Sequence, residues 1–173
     1  EQYNFKKIVT QCPHCFTTLK NDYAEMGIEL DVVHHSQYID ELINEKKIEP
    51  KPYLDEDITF HDPCYLGRHN GEYDAPRKVL QSVLKEGSIK EMEQSKSDSF
   101  CCGAGGGNMW YEIKKGERIN QHRVNQAVDT QSKTIAAACN FCNIMLEDGV
   151  KTTGNEENIR VVDIAEMVSK GLE

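Results

Sequence analysis

The chain has 173 residues and a formal charge of −9, from 20 Lys and Arg against 29 Asp and Glu. That acidity argues against nucleic acid as a partner, because phosphates demand a basic face. Mean hydropathy is −0.63, and no apolar run approaches the ~20 residues of a membrane-spanning helix. A chain of this length buries roughly 70% of its unfolded surface without staples. Its seven cysteines, an odd number that includes an adjacent pair, fit a reducing cytoplasm better than a secreted disulfide framework. No signal peptide is legible, and the first residue is Glu1 rather than Met, so the chain is expected to be part of a longer protein.

In chain order, an apolar run predicts a strand at 7–10, followed by Cys12-Pro-His-Cys15 and a helix at 13–26. A second strand is expected at 30–34 and a helix at 36–47, where Ile39, Leu42 and Ile43 share one face. Residues 49–57, with Pro50 and Pro52 among charges, read as a linker. Beyond it come a strand at 58–60, Cys64, a helix at 75–84 and a strand at 89–92. Asp74 is the expected N-cap of that helix, with Pro76 in its first turn. Cys101-Cys102 then opens a glycine-rich stretch, Gly103, Gly105, Gly106 and Gly107. The remaining expected elements are a helix at 117–130, a strand at 134–138, a helix at 140–150, a strand at 160–162 and a helix at 164–171. Asp163 with Glu166 reads as a capping-box variant.

This alternation predicts an α/β fold, a mostly parallel sheet with flanking helices. Continuous apolar runs fit strands buried on both faces. Cys12, Cys64 and Cys139 each follow a strand, which puts them at the carboxyl ends of strands, where open α/β sheets bind ligands.

The sequence also repeats. Cys12-Pro-His-Cys15 with Leu19 matches Cys139-Asn-Phe-Cys142 with Leu146, and Val32-Val33 matches Val161-Val162. The offsets are 127 and 129 residues. Residues 1–48 are therefore expected to be the C-terminal part of a first unit, and 58–173 a complete second one.

Five cysteines make one array: Cys64, Cys101, Cys102, Cys139 and Cys142. Soft thiolates gathered in this way suit an iron–sulfur cluster. A helix start after Cys139 favours thiolate over thiol. Glycines after Cys101-Cys102 permit a sharp backbone and let N–H groups approach anionic sulfur. Two other readings stay open. Two C-x-x-C pairs are a common tetrahedral zinc set, although that leaves Cys64, Cys101 and Cys102 without a role. Cys12-Pro-His-Cys15 also fits a thiol–disulfide exchange motif.

The pattern Cys64…Cys101-Cys102-Gly103…Cys139-x-x-Cys142, with His61-Asp62-Pro63-Cys64 and Cys102-Gly103-Ala104-Gly105-Gly106-Gly107, resembles the CCG (cysteine-rich) domain of the family that includes heterodisulfide reductase and the iron–sulfur subunit of glycolate oxidase. The resemblance implies a noncubane [4Fe–4S] cluster held by the five cysteines, with Gly103, Gly105, Gly106 and Gly107 shaping the loop around it. It implies an electron-transfer part of a larger oxidoreductase, inactive alone, that passes electrons between a flavin-bearing or other iron–sulfur partner and a disulfide or quinone acceptor. The family's tandem units imply a further N-terminal region, and a location in the cytoplasm or at the inner face of the membrane through partners.

No residue is assigned a catalytic role. His34, His35, His61, His69 and His122 are weighed as ligands or proton donors, with ordinary core or surface hydrogen bonding the stronger expectation and a turn-anchoring role for His61. Arg68, His69, Lys114 and Lys115 are weighed as charge compensation, against solvated charge. Trp110 and Tyr111 are expected to shield the cluster or to pack in the core.

Overall fold

The computed structural model describes residues 4–111 and 116–173, so Lys114 and Lys115 lie outside the described residues. The expected α/β architecture is present, with parallel strands throughout. β1 (Ile8–Thr10) and β2 (Val32–His34) form a two-stranded parallel sheet, with Ile8 opposite Val32 and Thr10 opposite His34. β3 (Ile58–His61), β4 (Ile89–Lys90), β5 (Thr134–Ala137) and β6 (Arg160–Asp163) form a second sheet in the order β4-β3-β5-β6.

That order decides where a ligand binds. The chain leaves β3 towards β4 on one side, then returns to place β5 and β6 on the other. The reversal lies between β3 and β5, and crevices open beyond the carboxyl ends of strands at such a switch point. Every residue of β3 and β5 is buried, as expected of central parallel strands covered on both faces.

Alternate strand residues feed two cores. Ile58, Phe60, Ala136 and Ala138 pack with Val79 and Leu80 of α5 (Asp74–Gln81), Ile164 and Met167 of α8 (Ile164–Gly171), and Phe16 and Val32 of the first segment. Ile135 and Ala137 pack with Val124 and Ala127 of α6 (Ile119–Asp129) and with Leu146 and Val150 of α7 (Asn140–Thr152). α6 and α7 approach so closely that a Cβ on Gly149 would lie 2.9 Å from the Asn120 carbonyl oxygen. The second core also contains Cys102, Cys139 and Cys142.

Several local expectations need correction. Asp74 is the first residue of α5 rather than its cap; Glu72 Oε1 accepts from the amides of Asp74 and Ala75 at 3.2 and 2.9 Å. A glutamate two residues upstream has the reach to do this, and so replaces the shorter side chain. Asp163 does cap α8, accepting from the Ala165 amide at 2.8 Å, but as a single bond rather than a capping box. Its other oxygen accepts from Gln11 and Asn143 at 3.1 and 3.2 Å. The helix expected at 13–26 is α1 (Pro13–Thr17) and α2 (Tyr23–Glu25) joined by a π-helical turn, Thr18–Asp22. α3 (His35–Asn44) begins directly after β2, with His34 capping it.

Residues 49–57 pack against the second sheet's helices. Leu54 is buried and bridges to Leu84, and the Lys51 amide donates to the Gly171 carbonyl at 2.7 Å. Trp110 and Tyr111 are 81% and 70% exposed, so neither shields a buried site nor joins the core. No helix among the described residues is long and apolar enough to cross a membrane.

Candidate metal centre

Cys64 opens α4 (Cys64–Gly67), a short turn of helix just past β3. Cys139 is the N-cap of α7 just past β5, and Cys142 lies within the first turn. These strands are hydrogen-bonded neighbours, with Ile58 opposite Thr134 and His61 opposite Ala137. The sheet register therefore brings Cys64 and the Cys139/Cys142 pair to the same crevice.

Cys101 and Cys102 arrive on a loop clamped to the turn before Cys64. Asp62 accepts from the Lys96 amide at 2.8 Å, and Ser99 Oγ donates to the Asp62 carbonyl at 3.1 Å. Arg68 Nε donates to the Ser97 carbonyl at 2.9 Å, and its Nη2 donates to the Ser99 carbonyl. Asp62 is itself held by a two-toothed pair with Arg77, at 2.8 and 2.9 Å. Arg68 thus serves as a structural clamp on backbone carbonyls.

All five cysteines of the array line one cavity, together with Pro13, His14, Pro63, Tyr65, Ala104, Gly105 and Phe141. None of the seven cysteines is in a disulfide. The Gly103 amide donates to Cys101 Sγ at 3.2 Å, and Gly103 has a φ of 93°. Gly105 is part of the cavity wall, whereas Gly106 and Gly107, with φ of 65° and 76°, turn the chain beyond it.

The sulfurs are electronically unequal. Hydrogen bonds from Cys101, Cys142 and His61 stabilise the Cys102 thiolate and push its pKa down, and Cys142 does the same for Cys139. Donation to Cys102 pushes Cys101 up, donation to Cys102 and Cys139 pushes Cys142 up, and burial pushes Cys64 up. Five cysteine sulfurs on one cavity, with Cys102 and Cys139 favoured as thiolates, are a set of soft donors. Its donor chemistry fits iron–sulfur ligation.

Cys12 and Cys15 do not line this cavity; Cys15 is exposed, and Cys12 lies 3.9 Å from His14 Nδ1. The two C-x-x-C pairs are therefore not gathered in one cavity, as a shared zinc site would need. Between Cys12 and Cys15, however, Pro13 and His14 reach over it. His14 lies tilted against Tyr65, with ring centroids 4.0 Å apart, and meets Phe141 edge-on at 5.7 Å. The sequence reading missed this aromatic wall, whose only local signal is that each ring adjoins a cysteine of a motif.

Of the weighed histidines, His69 stacks on Tyr65 at 4.3 Å, and His122 meets Phe100 at 4.8 Å. His34 and His35 lie in the first segment, where His35 Nε2 is 3.5 Å from Asp163. His61 alone joins the sulfurs: His61, Cys102 and Cys142 offer ligand atoms within 4.8 Å of one another.

A family model described as a cysteine-rich domain, CCG, matches residues 58–147. The chain belongs to the CCG cysteine-rich domain family. The chain is also 43% identical, over 99% of its length, to a protein named EtfAB:quinone oxidoreductase from Syntrophomonas wolfei. It is 41% identical over 99% to a probable iron-sulfur-binding oxidoreductase from Bacillus subtilis. It is 37% identical over 96% to one of the subunits of dihydromethanophenazine:CoB–CoM heterodisulfide reductase from Methanosarcina barkeri. The matched regions make up 25%, 24% and 41% of those proteins, so this CCG chain corresponds to a minor part of each.

Proposed function

We propose that this chain is the cluster-binding, electron-transfer part of a larger iron–sulfur oxidoreductase. The observation that carries the reading is the convergence of Cys64, Cys101, Cys102, Cys139 and Cys142 on one cavity at the β3/β5 switch point. These five would hold a single cluster, a noncubane [4Fe–4S] by resemblance to the family. The bound cluster would supply one-electron chemistry, while the protein sets its potential through burial and hydrogen bonds to sulfur. Gly103 and Gly105 would shape the loop at the sulfurs, and Gly106 and Gly107 the turn that follows.

The relatives' names speak for the wider context. One names a quinone oxidoreductase, one a heterodisulfide reductase, and a 41%-identical protein from Chromohalobacter salexigens is described as a probable membrane-anchored ferredoxin. We accordingly place a flavin-bearing or iron–sulfur partner on the donor side and a disulfide or quinone on the acceptor side. Contact with the inner face of the membrane would come through partners or regions outside this chain. Residues 1–48 would complete a first unit whose other cysteines lie in such a region, with 58–173 forming the second. Anaerobic reconstitution with iron and sulfide, followed by metal and sulfide analysis, tests the reading. Zinc without sulfide would point instead to a structural module.

A further inference from the structure

Arg123 is fully buried, with 0% of its surface exposed. Among the described residues it makes no ion pair with a carboxylate within 4.0 Å. Buried guanidinium groups are costly unless an anion answers them. Its donors are nevertheless committed: Nη1 donates to the Gln94 carbonyl at 2.8 Å and to Gln126 Oε1 at 2.7 Å, and Nη2 to Ser99 Oγ at 3.2 Å. Nε donates to His61 Nδ1 at 3.0 Å.

This last bond fixes the histidine. Arginine has five donors and no acceptor. His61 Nδ1 must therefore present its lone pair, and the single proton of the neutral ring sits on Nε2. His61 is 1% exposed, and a ring whose Nδ1 accepts from a guanidinium carries one proton only, so it is neutral. One ring nitrogen of His61 lies within 4.8 Å of the sulfurs of Cys102 and Cys142, and with Nδ1 taken by Arg123, Nε2–H is the one free to face them. A nitrogen that carries a proton cannot also bind a metal, so His61 acts here as a donor rather than as a ligand.

We infer that Arg123 and His61 form a buried charge-compensating pair for the sulfur centre: Arg123 locks the His61 tautomer, His61 Nε2–H donates to Cys102 Sγ, and the guanidinium supplies the positive charge that answers the thiolates. The part of this inference that concerns cluster potential rests on the function proposed above. A cation and a sulfur hydrogen bond both stabilise the more negative, reduced state, and so raise the potential. Neither residue touches a reacting atom of substrate; both are positioning and tuning residues.

The test has two arms. Nitrogen NMR of the folded, iron-free chain reads the His61 tautomer without a variant, and the protonated nitrogen is expected to be Nε2. The second arm is the midpoint potential of the reconstituted chain, by spectroelectrochemical titration. Arg123→Gln and His61→Phe are each expected to make reduction at least tenfold less favourable, about 59 mV for a one-electron couple, at unchanged iron content. Arg123→Lys and His61→Gln, which keep the charge or the donor, are expected to recover most of that shift. A His61 proton on Nδ1 would overturn the inference, as would potentials in Arg123→Gln and His61→Phe equal to wild type at full iron loading. If wild type binds no iron or sulfide, the function proposal fails, while the tautomer still decides the Arg123–His61 geometry.

Discussion

The backbone amide of Gly103 points at Cys101 Sγ, 3.2 Å away, because Gly103 has a φ of 93°. A Cβ there would lie 3.2 Å from the Asn120 amide nitrogen and 3.3 Å from Ile119 Cβ, at the start of α6. Both the strain and the crowding act on the loop that carries the adjacent cysteines.

Gly103→Val is therefore expected to lose most of the iron of the reconstituted chain, nearly as much as loss of a cysteine. The left-handed conformation alone costs a residue with a Cβ about 1–2 kcal/mol, and branching at Cβ adds to it. Equal iron content in Gly103→Val and wild type would show that the glycine is incidental.

Changing Cys12 and Cys15 together to Ser should leave the iron content of this chain intact. Neither sulfur lines the cavity that the other five share. In a longer protein that carries the remainder of the proposed first unit, the same double change should lower iron content. Loss of iron from the present chain would mean that the two C-x-x-C pairs serve one site.

Acid should weaken the fold through His34. Burial, reinforced by neighbouring His35, pushes its pKa down to about 3. Its neutral form is fully bonded: Nε2–H donates to the Gln11 carbonyl at 3.1 Å, while Nδ1 accepts from Ser36 Oγ at 2.8 Å. A second proton would set Nδ1–H against the Ser36 amide, which points at that nitrogen from 3.4 Å. The unfolded chain takes up this proton near pH 6.5 and the folded chain only near 3, so stability falls as pH drops between those values. From pH 7 to 5 the loss is about 2 kcal/mol. Urea titrations of the iron-free chain should show this slope, flattened in His34→Gln; identical slopes in the two would contradict the assignment.

Much of this was legible beforehand. The apolar runs at 58–60 and 134–138 located β3 and β5 because strands buried on both faces leave an uninterrupted hydrophobic signal. The cysteine spacing named the five residues that the structure gathers. What the sequence could not convey was strand order, which puts β3 beside β5 and so brings Cys64 to Cys139. The Arg123–His61 bond was equally hidden: 62 positions separate the two, and a charged residue in a helix reads as surface until packing buries it. Glu72 displaced Asp74 at the α5 cap for a local reason, side-chain reach, that residue preferences do not encode.

The central claim is that Cys64, Cys101, Cys102, Cys139 and Cys142 together hold one iron–sulfur cluster. Iron, sulfide and zinc per chain after anaerobic reconstitution test it most directly, with wild type beside the Cys139→Ala/Cys142→Ala double variant. The account predicts about four irons and four sulfides in wild type, no zinc, and loss of both iron and sulfide in the variant. Stoichiometric zinc without sulfide, or equal iron in the two proteins, would contradict it.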